Sequence, residues 1–274
     1  MAQLSLAWAM RDRPLWISFL VAFCVGAPIA HALGVLIHEC THNLVFRETW
    51  KNKALSLVAN LPLAAPAAVE FRHQHLLHHR HLGDAREVEG GDTQAPVASE
   101  VLFVGHSGLR KFLSFTFGRF FYKSRLANKA PVDEWYLANV AVSVGFSALV
   151  LLAFGWRSLL FLVMAALLAF GPHPLGARRI SEHLTVRRGQ PTTSYYGMAN
   201  RISFDVGYHV EHHDFPHIPW SRMRELHGLA PGEYEQLASL RSWTRLIVEY
   251  FFDPRRHVGQ YVGVSEDYIE EEKR

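Results

Sequence analysis

Hydrophobic residues along this chain gather in long runs, and polar and charged residues fill the stretches between. Residues 14–37, PLWISFLVAFCVGAPIAHALGVLI, carry no formal charge apart from any contribution of His31. About 20 apolar residues suffice for a helix to cross a hydrocarbon core of roughly 30 Å, so this stretch predicts a span. Apolar runs from Val140 and from Leu159 are separated only by Gly155, Trp156, Arg157 and Ser158. They predict a hairpin of two further spans, approximately 138–154 and 158–175. Residues 54–69, ALSLVANLPLAAPAAV, are apolar but short and carry Pro62 and Pro66. They read as an interfacial or dipping segment, with a fourth span as the alternative. Residues 109–125, LRKFLSFTFGRFFYKSR, interleave aromatic and basic positions. That pattern suits a helix lying on the membrane surface; an aromatic-rich core helix is the alternative. The leader MAQLSLAWAMRDR has no small-residue cleavage site after a short apolar core, so a signal peptide is not expected.

The expected architecture is therefore all-α and integral to a membrane, one domain over residues 1–274. About three transmembrane helices and an interfacial segment would be topped by a helical cap, formed by cytosolic regions 38–137 and 176–274. Charge supplies the orientation. Almost every Lys and Arg lies in the two cap regions; Arg11, Arg13 and Arg157 fall on the other side. The positive-inside rule then makes the cap face cytoplasmic, in a bacterial inner membrane or an endoplasmic reticulum. A net charge of +3 over 274 residues is too small and dispersed to argue for a nucleic-acid partner. The two cysteines, Cys24 and Cys40, have no CxxC spacing and support neither a disulfide framework nor an iron–sulfur cluster.

The cap regions carry the chemistry. His38 and His42 are four apart, and two copies of HxxHH follow: His75, His78 and His79, then His209, His212 and His213. On a helix, positions i, i+3 and i+4 share one face. Any one such cluster would suit solvated or hydrogen-bonded histidines; three on one side of a membrane suit metal ligation. The crossings between successive clusters are none and then two, so all three fall on the same side. His183 leaves the hairpin on that side too, near enough to supply a ninth ligand. Eight or nine imidazoles exceed what one ion takes, so two ions are the simplest count. Imidazole suits Fe, Zn, Cu and Ni alike. Glu39, Glu182 and Glu211 stand beside ligand positions, where carboxylates can fix imidazole tautomers. His73, His81, His106, His227 and His257 read as non-ligands, and His31 as a polar residue in mid-span. His38-Glu39-x-x-His42 also spells HExxH, the zinc-protease signature, but that reading leaves both HxxHH copies without a purpose.

With these parts assembled, the sequence resembles the membrane fatty acid desaturase/hydroxylase superfamily, most closely its sphingolipid Δ4-desaturase branch. The carriers are HECTHN at 38–43, NLP at 60–62, HLLHHRHLG at 75–83, GGDT at 90–93, HPLGARRISEH at 173–183, TSYYG at 193–197 and DVGYHVEHHDFPHIP at 205–219. The resemblance implies that His38, His42, His75, His78, His79, His209, His212 and His213 bind two irons, with His183 matching a further histidine of related desaturases. It implies O2-dependent introduction of a C=C bond into a long acyl or sphingoid chain, most closely that of dihydroceramide. The family usually begins with a polar segment and one more span before the first box. This sequence shows neither, so its N-terminus would sit on the opposite face or its start is trimmed. Arg178 and Arg179 stand where a histidine is common and would suit an anionic headgroup or a donor protein. Asp205 stands where asparagine is frequent.

Breaking an unactivated C–H bond lies beyond side-chain acid–base catalysis and needs a cofactor. No nucleotide-binding glycine motif or fused haem module accompanies the boxes, so electrons would come from a separate donor, cytochrome b5 or ferredoxin with its reductase. A lipid hydroxylase on the same framework, a zinc membrane protease and a non-catalytic metal-binding membrane protein are the alternatives.

Overall fold

The computed structural model describes residues 1–84, 92–96, 98–118, 128–183, 187 and 189–261. The surface-helix expectation for 109–125 is therefore described only to residue 118. Helices dominate; the strands among the described residues are a parallel two-residue pair, Ser194–Tyr195 with Ser239–Leu240. The chain falls into two compact units. One comprises Met1–His73 and Ala130–Leu175, the other Gln74–Lys129 and Gly176–Arg274.

The first unit holds the apolar helices. Leu15–Thr41 and Glu134–Phe154 are each long and apolar enough to cross a membrane. Two bent pairs, Thr49–Leu63 with Ala68–Arg80 and Trp156–Ala169 with Pro174–Ser181, would bring the number to four. The first helix contains a wide π turn at Ala22–Gly26, and it continues past the expected end at Ile37 to Thr41. Hydropathy falls away at His38, but the backbone ladder does not depend on hydropathy. The first histidine pair therefore rides the end of the span. Arg72 caps this helix: its guanidinium donates to Cys40 O at 2.8 Å, Thr41 O at 2.6 Å and Asn43 Oδ1 at 3.2 Å. That satisfies carbonyls left open at a helix end.

Small residues set the packing here. Eight of the fifteen residues in the apolar core cluster are alanine, and Gly26 faces Ala165 and Phe161. Membrane helices gain most from such close backbone approach, because lipid offers no hydrophobic drive to bring them together. Gly155, at φ +85°, turns the hairpin in a conformation an L side chain resists. Asp133 starts the hairpin by accepting from Tyr136 N at 2.8 Å.

The segment expected to dip rather than cross is bent by 115°. Asn60, fully buried, supplies what the broken backbone needs. Its Oδ1 accepts from Ala67 N and Ala68 N at 2.8 and 2.6 Å, and its Nδ2 donates to Ala65 O.

The second unit gathers short helices around Trp243, Leu246, Ile247 and Tyr250 from the helix Trp243–Phe252. Tyr195 stacks on Trp243 at 4.0 Å, and the indole N–H donates to Ser181 Oγ at 3.1 Å. Lys111 is fully buried. Its Nζ donates to Tyr250 O, Asp253 O and Arg256 O at 2.9, 2.9 and 2.6 Å, capping the end of that helix. Burial pulls the Lys111 ammonium below its usual range, and three carbonyls compensate the lost water.

Candidate metal centre

The second box lies on Ala68–Arg80 and the third on His209–Asp214, so both HxxHH copies are helical, as their spacing predicts. His183 sits two residues past the short helix Arg178–Ser181. The imidazoles converge through their Nε2 atoms. His75 and His79 are 3.0 Å apart at Nε2, and His79 and His212 are 3.1 Å apart. His78 meets His183 at 3.0 Å, and His183 meets His209 at 3.1 Å. His79 and His213 stack with centroids 4.2 Å apart.

Three groups of donor atoms follow, each lying within 4.8 Å: His75 with His79 and His212; His78 with His183 and His213; Glu182 with His183 and His209. In the first unit, the rings of His38 and His42 face each other at 4.9 Å. Among the described residues, His31, His73, His81, His106, His227 and His257 join no such group.

These separations fit a metal better than a hydrogen-bond chain. A neutral imidazole carries one N–H and one lone pair. His183 Nε2 faces two other Nε2 atoms and can donate to only one of them. By contrast, nitrogens about 2.1 Å from a shared ion, at right angles, lie about 3.0 Å apart. Electrostatics agree. Burial first, then neighbouring histidines, holds His183 and His209 well below the ordinary imidazole range. Burial and then Arg72 lower His42 to about 4. All three are thus neutral with lone pairs available, the form that binds metal.

The three carboxylates take different places. Glu182, pushed up by burial and pulled back by Arg178, lies 3.6 Å from His209 Nδ1 and accepts from Arg178 Nε at 2.9 Å. Glu39 Oε1 stands 3.5 Å from His38 Nδ1. Glu211 turns away from the boxes. It accepts from Ser194 Oγ at 2.7 Å, Tyr196 O–H at 2.8 Å and His227 Nδ1 at 2.7 Å. His227, set aside in the sequence, is therefore part of the scaffold under the third box. Asp92 had no assigned role either, although GGDT was among the recognisable segments. It accepts from His78 Nδ1 at 2.7 Å with both side chains fully buried. Arg178 is committed to Glu182, and Arg179 donates to Phe115 O at 2.9 Å with its guanidinium over the Phe115 ring. Both guanidiniums thus have partners inside the fold.

Helical spans and imidazole-lined donor groups define a membrane oxidoreductase of the histidine-box class. Residues 14–244 match the fatty acid desaturase family, and the chain belongs to it. It is 39% identical over 249 residues to a Drosophila melanogaster protein named sphingolipid delta(4)-desaturase DES1, covering 89% of this chain and 75% of that one. A Caenorhabditis elegans protein named putative sphingolipid delta(4)-desaturase/C4-monooxygenase is 37% identical, covering 92% and 69%. The sphingolipid delta(4)-desaturase of Schizosaccharomyces pombe is 34% identical, covering 91% and 71%.

Proposed function

We propose that this protein is an O2-dependent lipid desaturase that introduces a C=C bond into the sphingoid backbone of dihydroceramide. The observation that carries this reading is the convergence of Nε2 atoms from His75, His78, His79, His183, His209 and His212 at separations of 3.0 to 3.1 Å. Relatives that cover most of the chain and bear sphingolipid desaturase names support the choice of substrate. The proposed ligand set is His38, His42, His75, His78, His79, His183, His209, His212 and His213, holding two irons, with Glu39 and Glu182 beside ligand imidazoles.

Bound iron would supply O2 activation and hydrogen abstraction. The overall balance removes two hydrogens from adjacent carbons and consumes one O2, two electrons and two protons, releasing two waters. The chain's own part is to hold the imidazoles in a preorganised array, with burial keeping His42, His183 and His209 neutral so that these three need not shed a proton to bind metal. The electrons would come from a separate carrier of the cytochrome b5 or ferredoxin kind. The positive-inside distribution of Lys and Arg supports a cytoplasmic histidine face.

A second reading, C4 hydroxylation, is favoured by the combined name of the Caenorhabditis elegans relative. Both outcomes start from the same hydrogen abstraction. Expression in a host lacking the activity, fed dihydroceramide and fatty acids, separates them by mass spectrometry. Loss of two hydrogens from the fed sphingolipid is the expected product. Gain of one oxygen selects hydroxylation, and change confined to fatty acids overturns the sphingolipid assignment.

A further inference from the structure

Described residues that follow the second-box helix gather around one buried carboxylate. Asp92 Oδ1 accepts from His78 Nδ1 at 2.7 Å and from Gln94 N at 2.9 Å, and Oδ2 accepts from Gly83 N at 3.0 Å. The Asp92 backbone N–H in turn donates to Asp84 O at 2.8 Å. Thr93 Oγ1 then ties the same residues to Gln74 O at 2.6 Å. A carboxylate carries acceptors only, so the proton between His78 and Asp92 resides on Nδ1. His78 Nε2 is thereby left with a lone pair, aimed at His183 Nε2 from 3.0 Å. Glu182 stands farther from His209 Nδ1, at 3.6 Å.

We infer that Asp92 is a positioning residue of the metal centre, fixing the tautomer and ring orientation of His78 so that Nε2 is the donor atom. This rests on the metal-centre reading above. Losing such a carboxylate from behind a ligand imidazole typically costs about 10- to 100-fold in metal affinity.

The test uses the full-length protein in lipid nanodiscs, stripped of metal and titrated with cobalt(II), whose visible absorption reports ligand geometry. The wild-type chain is expected to bind two ions. Asp92→Ala should weaken binding about 10- to 100-fold and shift the absorption bands. Asp92→Asn keeps an oxygen facing His78 Nδ1 but loses the acceptor for Gly83 N. It should restore the band positions, with intermediate affinity. Thr93→Val cuts the tie to Gln74 without touching His78 and should bind as the wild type does. Wild-type affinity and spectrum in Asp92→Ala would overturn the inference while leaving the metal centre standing. An equal loss in Thr93→Val, or an Asn variant with the Ala variant's bands, would also overturn it, reducing Asp92 to local structural support. A wild-type chain that takes up no cobalt would remove the metal-centre reading itself.

Discussion

The two HxxHH boxes have the same spacing and reach the same geometry by different means. The second box sits near the end of Ala68–Arg80, a helix of 13 residues, and its register follows from ordinary helix propagation. The third sits on His209–Asp214, only six residues long. A helix that short does not hold its shape alone in water. Its shape is imposed from outside: Ser194 Oγ accepts from Val210 N at 2.9 Å, and Glu211 gathers Ser194, Tyr196 and His227 beneath it. The approach to it is equally constrained. Phe204 and Asp205 hold φ near +58° and +52°, and Asn200 clamps Tyr195 O and Gly207 N. One box is made by its backbone and the other by its neighbours, so equivalent damage should have unequal consequences.

The largest effect should come from the ligands themselves, where the boxes are expected to behave alike. His79→Ala and His212→Ala should each abolish lipid desaturation and lower iron per chain, measured by elemental analysis of purified protein. Full iron content with full turnover in either variant would break the symmetry at its root. Next comes the scaffold under the third box. Glu211→Ala strands the donors of Ser194, Tyr196 and His227 in a buried site and should cost about 3 kcal/mol in thermal unfolding. Hydrogen exchange should speed up across 208–214 and stay unchanged across the second-box helix. Equal acceleration in both would contradict the contrast. Gly207→Ala places a methyl group against Asn200 Oδ1 and Tyr195 O. Crowding of this sort costs about 1–3 kcal/mol, seen as a lowered melting temperature with partial loss of iron. The smallest effect belongs to the rim. Arg224 pairs with Asp205 at 2.7 Å, but its side chain is 57% exposed. Arg224→Ala should change stability by less than about 1 kcal/mol, and a larger loss would mean that the strained turn depends on that pair.

The same contrast explains what could be read in advance. Spans and HxxHH faces obey local periodicity, so residues 14–37, the first arm of the hairpin and both boxes were legible from spacing alone. The extension of the first helix to Thr41 was not, because hydropathy marks where lipid ends and not where a helix does. His227 and Asp92 were missed for another reason. Their partners, Glu211 and His78, lie 16 and 14 positions away, and neither pair shares one helix or strand whose repeat could reveal it. Glu211 was expected to fix the tautomer of a ligand imidazole because it stands between two of them in sequence. On a helix, though, the residue between i and i+3 points elsewhere. Arg179 reaches Phe115 O across 64 positions, a contact that no local spacing shows.

The π turn at Ala22–Gly26 has a consequence for the far end of its helix. One extra residue in a turn swings everything downstream by about 100° about the axis. His38 and His42 therefore look where they do partly because of a widening about three to five turns earlier, among residues that touch no donor atom. Excising a single residue there would leave the segment apolar and long enough to span, yet aim both rings at a different quarter of the compass.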